Sequence, residues 1–246
     1  MPHLRVSPAL PGDRLTHREK VKLTRLAKAL VSWASTAGRR FPWRSAHATE
    51  YQRIAVEVLL QRTTATAVAA FYEQFFARFP DWDTLASASA EQLEQFLKPL
   101  GLWRRRANSL LGLARYASVN GGRFPSDPQS HAEIPAVGQY VSNAVLMFQH
   151  GRAMPLLDVN MARVIERYLR PRRLADIRHD PWLQEAARWF VRGVNAHEVN
   201  WAVLDFAAVV CKARRPRCES CPVMPRCNYG QKALRGGEDT VVASLR

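Results

Sequence analysis

Four cysteines, Cys211, Cys218, Cys221 and Cys227, are the only ones in the chain, and all fall within the 17 residues CKARRPRCESCPVMPRC. Their spacing is C-x6-C-x2-C-x5-C. Four thiolates this close can enclose one metal centre, and soft sulfur ligands favour an iron–sulfur cluster or zinc. Zinc ribbons pair two C-x2-C knuckles across a longer spacer, and only one such knuckle is present. Two disulfides would also use four cysteines, but the first 30 residues lack the apolar stretch of a secretory leader, which points to a reducing compartment. Residues 212–217 carry four cations, Lys212, Arg214, Arg215 and Arg217. A metal-stapled loop with that charge suits a phosphate backbone.

Two carboxylates stand in informative surroundings. Glu57 is the single charge in IAVEVLL, residues 54–60. On a mostly apolar helix it would be partly desolvated, hold its proton to higher pH and be a candidate general acid. The alternative is a narrow solvent-facing stripe, with Glu57 paired to Arg53 or Gln61. Asp158 follows the apolar Met154, Leu156 and Leu157 and precedes a helix, so it is a natural N-cap. A helix N-terminus favours the ionised form. An ionised Asp beside a protonated Glu is an arrangement that splits a glycosidic bond, one group donating a proton and the other facing the sugar cation. Asn160, two residues on, can bond to either carboxylate or to a substrate.

The segment IPAVGQYVSNAV, residues 134–145, reads as a tight turn between two helices. Gly138 can take φ > 0 and admit a close backbone. Amides of Pro135–Gly138 and of the next helix then become phosphate ligands, unless the segment is an ordinary helix connection. Tyr140 is either core packing or a phenol against a nucleotide. Gln61 and Arg62, at a helix end, are either surface polar residues or fillers of the gap left by an extruded base.

The elements that must position these groups are helical. Apolar spacing predicts a helix over 16–35, then helices at 50–60, 64–79, 90–97, 104–119, 139–149, 158–169, 181–194 and 197–210, with a short helical stretch at 130–134. Alternating strands are scarce, so the fold class expected is all-α. No apolar run is long enough to span a membrane. The net charge of +15 and a pI near 10.5 suit a polyanionic partner, nucleic acid before an anionic membrane. Arginines outnumber lysines, and between Lys28 and Lys212 the sole lysine is Lys98. A mechanism needing a buried catalytic lysine therefore has almost no candidate in the middle of the chain.

Taken together, FPWR (41–44), EVLLQRTTA (57–65), GGRFP (121–125), IPAVGQY (134–140), LLDVNMARV (156–164) and the cysteine loop resemble, in order, the helix-hairpin-helix DNA glycosylases of the endonuclease III superfamily that carry a [4Fe-4S] cluster. The resemblance covers residues 16–228. It implies a flexible arm at 1–15, an N-terminal helix at 16–44 packing with the cluster domain, a helical barrel domain with the hairpin at 45–150, a cluster domain at 151–228 and a tail at 229–246. The active site is then expected between the two domains.

The same resemblance makes Asp158 the essential Asp, Glu57 the catalytic Glu of the adenine and mismatch-thymine branches, and Asn160 an active-site Asn of the adenine branch. Tyr140 takes the position of the Schiff-base lysine of bifunctional members, which implies a monofunctional enzyme that leaves an abasic site. Cys211, Cys218, Cys221 and Cys227 become cluster ligands. The implied partner is double-stranded DNA with a mismatched or damaged base, bound by a monomer in the cytoplasm at the nucleoid.

VLLQRTTA and NWAVLDFAAVVC (200–211) are similar to the mismatch-specific thymine/uracil glycosylases. MutY-type adenine glycosylases carry DGN where this chain has DVN, with Val159 after the Asp, and usually a further C-terminal domain. Thymine or uracil opposite guanine is thus the expected target. Adenine opposite guanine or 8-oxoguanine is the alternative, and a non-catalytic DNA binder on the same scaffold is the alternative of another class. The hairpin departs from the family's Pro-Gly-Val-Gly at Ala136, where a requirement for φ > 0 would disfavour alanine.

Overall fold

The structure is a computed structural model that describes residues 14–135, 137–193 and 195–233. Ten α-helices run through them: α1 (His17–Ala37), α2 (Glu50–Leu59), α3 (Ala65–Arg78), α4 (Trp82–Ser87), α5 (Ala90–Leu97), α6 (Trp103–Val119), α7 (Gln139–Phe148), α8 (Val159–Tyr168), α9 (Pro181–Phe190) and α10 (Ala196–Val209). No strand occurs among the described residues, and none of these helices is long and apolar enough to cross a membrane. The all-α expectation holds. Helix α4 was not anticipated, because six residues carry too little periodicity. Its start is fixed by the Asp81 side chain, which accepts from Thr84 N at 2.7 Å. The 130–134 stretch is a 3-10 turn, Ser130–Glu133. A further helical stretch at 228–233, outside these ten, takes in residues 229–233 of the expected tail; residues 1–13 of the expected arm lie outside the described residues.

Local chemistry sets the helix starts. Thr16 and Glu19 form a reciprocal capping box at α1, and Thr49 and Gln52 form another at α2. Thr64, Asp81, Ser89, Asp158, Asp180 and Asn195 cap α3, α4, α5, α8, α9 and α10. Only α6 and α7 among these helices begin without a side-chain cap.

The chain folds as two compact units, one of residues up to Arg39 with those from Pro155 onward, the other of Arg40–Met154. In the first, α1 packs on α9 and α10, and α8 packs on the same pair. Leu23, Leu26, Ala27 and Leu30 form the buried stripe of α1, and the Trp33 ring meets Phe206 edge-on at 5.4 Å. Two fully covered polar side chains tie loops into this unit. Asn200 Oδ1 accepts from Leu156 N at 2.7 Å, which fixes the extended stretch leading to Asp158. Asp205 accepts from Arg39 N at 2.7 Å and from Arg39 Nε at 2.8 Å.

In the second unit, α4 and α5 pack on α6, and α2 packs on α6 and α7. Phenylalanines on and after α3 form an aromatic cluster in which Phe75 meets Phe76 and Phe79, and Phe96 of α5 joins it. Helix α2 is buried at Tyr51 and at every position from Ile54 to Leu59. A helix covered on all sides lies at the centre of its unit.

Helix α6 and the turn before α7 approach closely at Gly112. A Cβ there would lie 2.9 Å from the Pro135 carbonyl oxygen and 3.1 Å from Pro135 Cβ. Gly to Ala within a helix ordinarily gains about 1 kcal/mol. Here Gly112→Ala should instead destabilise by about 1–3 kcal/mol, as overpacking does, and displace the turn. A thermal melt with Gly112→Ala at or above the wild-type midpoint would overturn the contact.

Candidate active site

The two carboxylates occupy different units, and each has its own surroundings. Glu57 is 2% exposed on α2, within the buried run Ile54–Leu59. Its Oε2 accepts a hydrogen bond from the Tyr140 hydroxyl of α7 at 2.7 Å. The solvent-stripe alternative for Glu57 is therefore excluded. Tyr140 is half-buried and directed at the carboxyl group, which is not what a phenol serving only as core filling would do. No lysine is buried among the described residues, and Lys98 is exposed.

Asp158 is the N-cap of α8. Its Oδ1 accepts from Asn160 N at 2.9 Å and Met161 N at 2.8 Å, and its Oδ2 accepts from Asn160 Nδ2 at 2.5 Å. Burial pushes its carboxyl above the usual Asp range, against the bonds from Met161 and Asn160 and the charge of Arg163. At Asp158 desolvation thus outweighs the helix N-terminus and the bonds to it. Val159, next in the chain, is 67% exposed.

Arg163 was missed in the sequence. Its Nη2 donates to Asn160 Oδ1 at 3.1 Å and Ala207 O at 3.1 Å, and its Nε donates to Cys211 O at 3.0 Å. It joins the Asp158–Asn160 pair to the start of the cysteine loop. Arg167, one turn on, donates from Nη1 to Lys212 O at 2.7 Å and from Nη2 to Ala213 O at 3.0 Å, while its guanidinium stacks on Tyr229. The i, i+4 spacing of the two arginines was the available signal. It was indistinguishable from an ordinary charged helix face.

Cys211, Cys218, Cys221 and Cys227 line one cavity with apolar walls from Leu26, Val164, Tyr168, Phe206, Val210 and Met224. Arg167 Nη1 donates to Cys211 Sγ, and Gly230 N to Cys227 Sγ, both at 3.5 Å. Four thiols around one cavity with largely apolar walls, with N–H groups on two of the sulfurs, fit a thiolate-bound cluster. Among the described residues no three His, Cys, Asp or Glu side chains are gathered as they would be around a single ion. The loop between the first two cysteines is closed by Arg217 N donating to Val210 O at 2.9 Å. Arg214, Arg215 and Arg217 are exposed on it, Arg215 with φ 49°, and Lys212 is half-buried.

At the turn before α7, Pro135 and Gly138 are exposed and Val137 is half-buried. Gly138 has φ −86° and ψ 176°, so it does not use the positive φ open to glycine. Its use is space instead: a Cβ there would meet no atom within 4 Å, and the uncapped amides of α7 lie next to it. Ala136 lies outside the described residues. His131, 1% exposed, anchors the turn through Ser142 Oγ and Pro125 O, each at 2.7 Å.

Gln61 is half-buried and Arg62 exposed, in the turn after α2, and Arg62 holds the left-handed φ of 55°. A second exposed side chain was missed: Leu102, 47% exposed with φ 48°, just before α6. Nothing in its sequence position distinguishes it from a core leucine.

Removing the Asn160 side chain takes away a bond that holds the Asp158 carboxyl down. In Asn160→Ala, Asp158 should titrate at higher pH than in the wild type, read from its 13C carboxyl shift. An unchanged or lower titration point would contradict this balance of burial and bonding.

The sequence family described as HhH-GPD superfamily base excision DNA repair protein matches residues 55–179. The thymine-DNA glycosylase of Aeropyrum pernix is 35% identical over 216 residues, which is 86% of this chain and 96% of that relative. The solved structure of a thermostable thymine-DNA glycosylase superposes with a TM-score of 0.77 at 31% identity, covering 86% of this chain and 98% of that one. The adenine DNA glycosylase of Homo sapiens is 28% identical across 87% of this chain but only 41% of its own length. With half of its length matching the family and a near full-length relative above 30% identity, the chain belongs to the HhH-GPD superfamily of base excision DNA repair proteins.

Proposed function

We propose that this enzyme hydrolyses the N-glycosidic bond of thymine or uracil mispaired with guanine in duplex DNA, acting as a monomer at the nucleoid and leaving an abasic site. The observation that carries the reading is the 2.7 Å hydrogen bond that Tyr140 donates to the buried Glu57. It fills with a phenol the position where a lyase needs an amine, and it holds a carboxyl group in an apolar helix. Val159 in place of glycine, and similarity to thymine glycosylases over nearly their full length, support thymine or uracil over adenine.

Duplex binding rests on phosphates. Lys212, Arg214, Arg215 and Arg217 take one stretch of backbone, and the amides around Pro135, Val137 and Gly138 take another. Gln61 and Arg62, with Leu102, enter the stack as the target nucleotide leaves it. Extrusion costs a few kcal/mol, least for a mismatch. Glu57 then acts on the base or positions water. Asp158, as the carboxylate, stabilises the oxocarbenium-like sugar as the C1′–N bond breaks and its electron pair leaves with the base. Water adds at C1′ and gives up a proton, which neutralises the departed base anion. Asn160 and Arg163 hold Asp158 in place. Cys211, Cys218, Cys221 and Cys227 would hold a [4Fe-4S] cluster, whose contribution when bound is to staple the basic loop.

Labelled duplexes carrying G:T, G:U, A:G and A:8-oxoguanine, treated with enzyme and then alkali, test the reading. Scission should appear at T and U only, and only after alkali. Scission confined to the A-containing duplexes would replace the proposed substrate with adenine.

Asp158→Asn should lose about 100-fold or more in rate, as removal of an electrostatic stabiliser does, and keep its DNA affinity. Because Asp158 must be ionised and its pKa is raised, wild-type activity should fall with decreasing pH at a point above the ordinary Asp range. A rate flat through that region would remove Asp158 from this role.

A further inference from the structure

Arg106 is 2% exposed, yet no carboxylate meets it among the described residues. Its guanidinium is spent on oxygens of two separate turns. Nη1 donates to Leu100 O at 3.1 Å and to Gly101 O, and Nη2 donates to Gln61 O at 2.8 Å and Thr63 Oγ1 at 2.7 Å. Thr63 Oγ1 in turn donates to Leu100 O at 3.0 Å, so the two turns are also joined directly. Each turn holds one exposed non-glycine residue in the left-handed region, Arg62 in the first and Leu102 in the second. A buried cation without a counter-ion is costly, and left-handed backbone at a non-glycine residue persists only where its surroundings impose it. Both features are explained if the turns must keep a fixed spacing.

We propose that Arg106 is a positioning residue that locks the Gln61–Arg62 turn and the Leu102 turn into one rigid two-pronged wedge, so that both prongs meet the duplex already in register. The inference rests on the nucleotide-extrusion reading above. A preorganised wedge leaves less ordering to be done on binding. Lysine cannot replace Arg106, since one ammonium lacks the fork that reaches both turns.

The test uses a G:T duplex with 2′-fluorothymidine at the target, which resists cleavage, and 2-aminopurine as the neighbouring base, whose fluorescence rises on unstacking. Arg106→Met keeps the bulk and loses the bonds. Thr63→Val loses the direct bond to Leu100 O and one of the four acceptors of Arg106, at little risk to folding, and Arg106→Lys keeps the charge but not the fork. Arg106→Met and Arg106→Lys should show about tenfold lower extrusion signal and single-turnover rate on cleavable G:T, and Thr63→Val a smaller loss, with affinity for fully paired duplex unchanged. In the Arg106→Met background, Leu102→Ala should cost much less than in the wild type.

Wild-type fluorescence in Arg106→Lys would overturn the proposal, whether or not Arg106→Met folds. So would a loss of signal matched by equal loss of affinity for paired DNA, which is what general destabilisation gives. A wild-type enzyme with no signal on the mismatch would instead sink the extrusion reading itself.

Discussion

Ionisable groups withdrawn from water set the terms for the rest of this molecule, because a helical interior offers them only what its own donors supply. Two aspartates at helix starts show the range. At Asp180, burial raises the carboxyl, but the backbone N–H groups of Leu174, Leu183 and Arg173 and the charge of Arg170 carry it below the ordinary value. At Asp158, burial exceeds the combined effect of Met161, Asn160 and Arg163, and the carboxyl ends above it. The first is a structural cap. The second is the carboxyl group proposed to face the sugar cation, and an incompletely satisfied charge gains most from a cation that develops next to it. Glu57 is likewise withdrawn from water, on α2, where the Tyr140 phenol meets it.

The scaffold separates the parts that hold shape from the parts that meet a ligand. Eight described helices close their first turn with their own side chains, and α6 and α7 do not. Those two starts adjoin Leu102 and Gly138, where exposed chain and open space occur together. In the other unit, α8 presents Asp158 at its first turn, and Arg163 and Arg167 run from the following turns to the carbonyls at the start of the cysteine loop. One helix therefore sets the candidate catalytic carboxyl and the base of the cation-rich loop in a single rigid frame. Arginine suits that task because its planar fork reaches two carbonyls at once.

Much of this was legible before any coordinates. Helix starts follow from Thr, Ser, Asp and Asn placed ahead of apolar periodicity, which are local effects acting within a few residues. The cysteine spacing, the lone Glu57 in an apolar run and Asp158 before a helix were equally local, and the structure set them on the elements expected. The six-residue α4 escaped because too few residues repeat a pattern. Leu102, Arg106 and Arg163 escaped because each matters through partners distant in the chain, such as Gln61 for Arg106 and Cys211 for Arg163.

Residue types and spacings by themselves determined the helical class, the cation-rich loop bounded by thiols, and which carboxylates were candidates for chemistry. Tertiary structure alone decided what surrounds those carboxylates. Hydrogen-bond partners and solvent exclusion are sums over atoms brought together from many points of the chain, so no window of sequence contains them. That is why Glu57 could be read as either a surface or a buried group until Tyr140 was seen to meet it. It is also why the burial that opposes the cap at Asp158 could not be read from the residues around it in sequence.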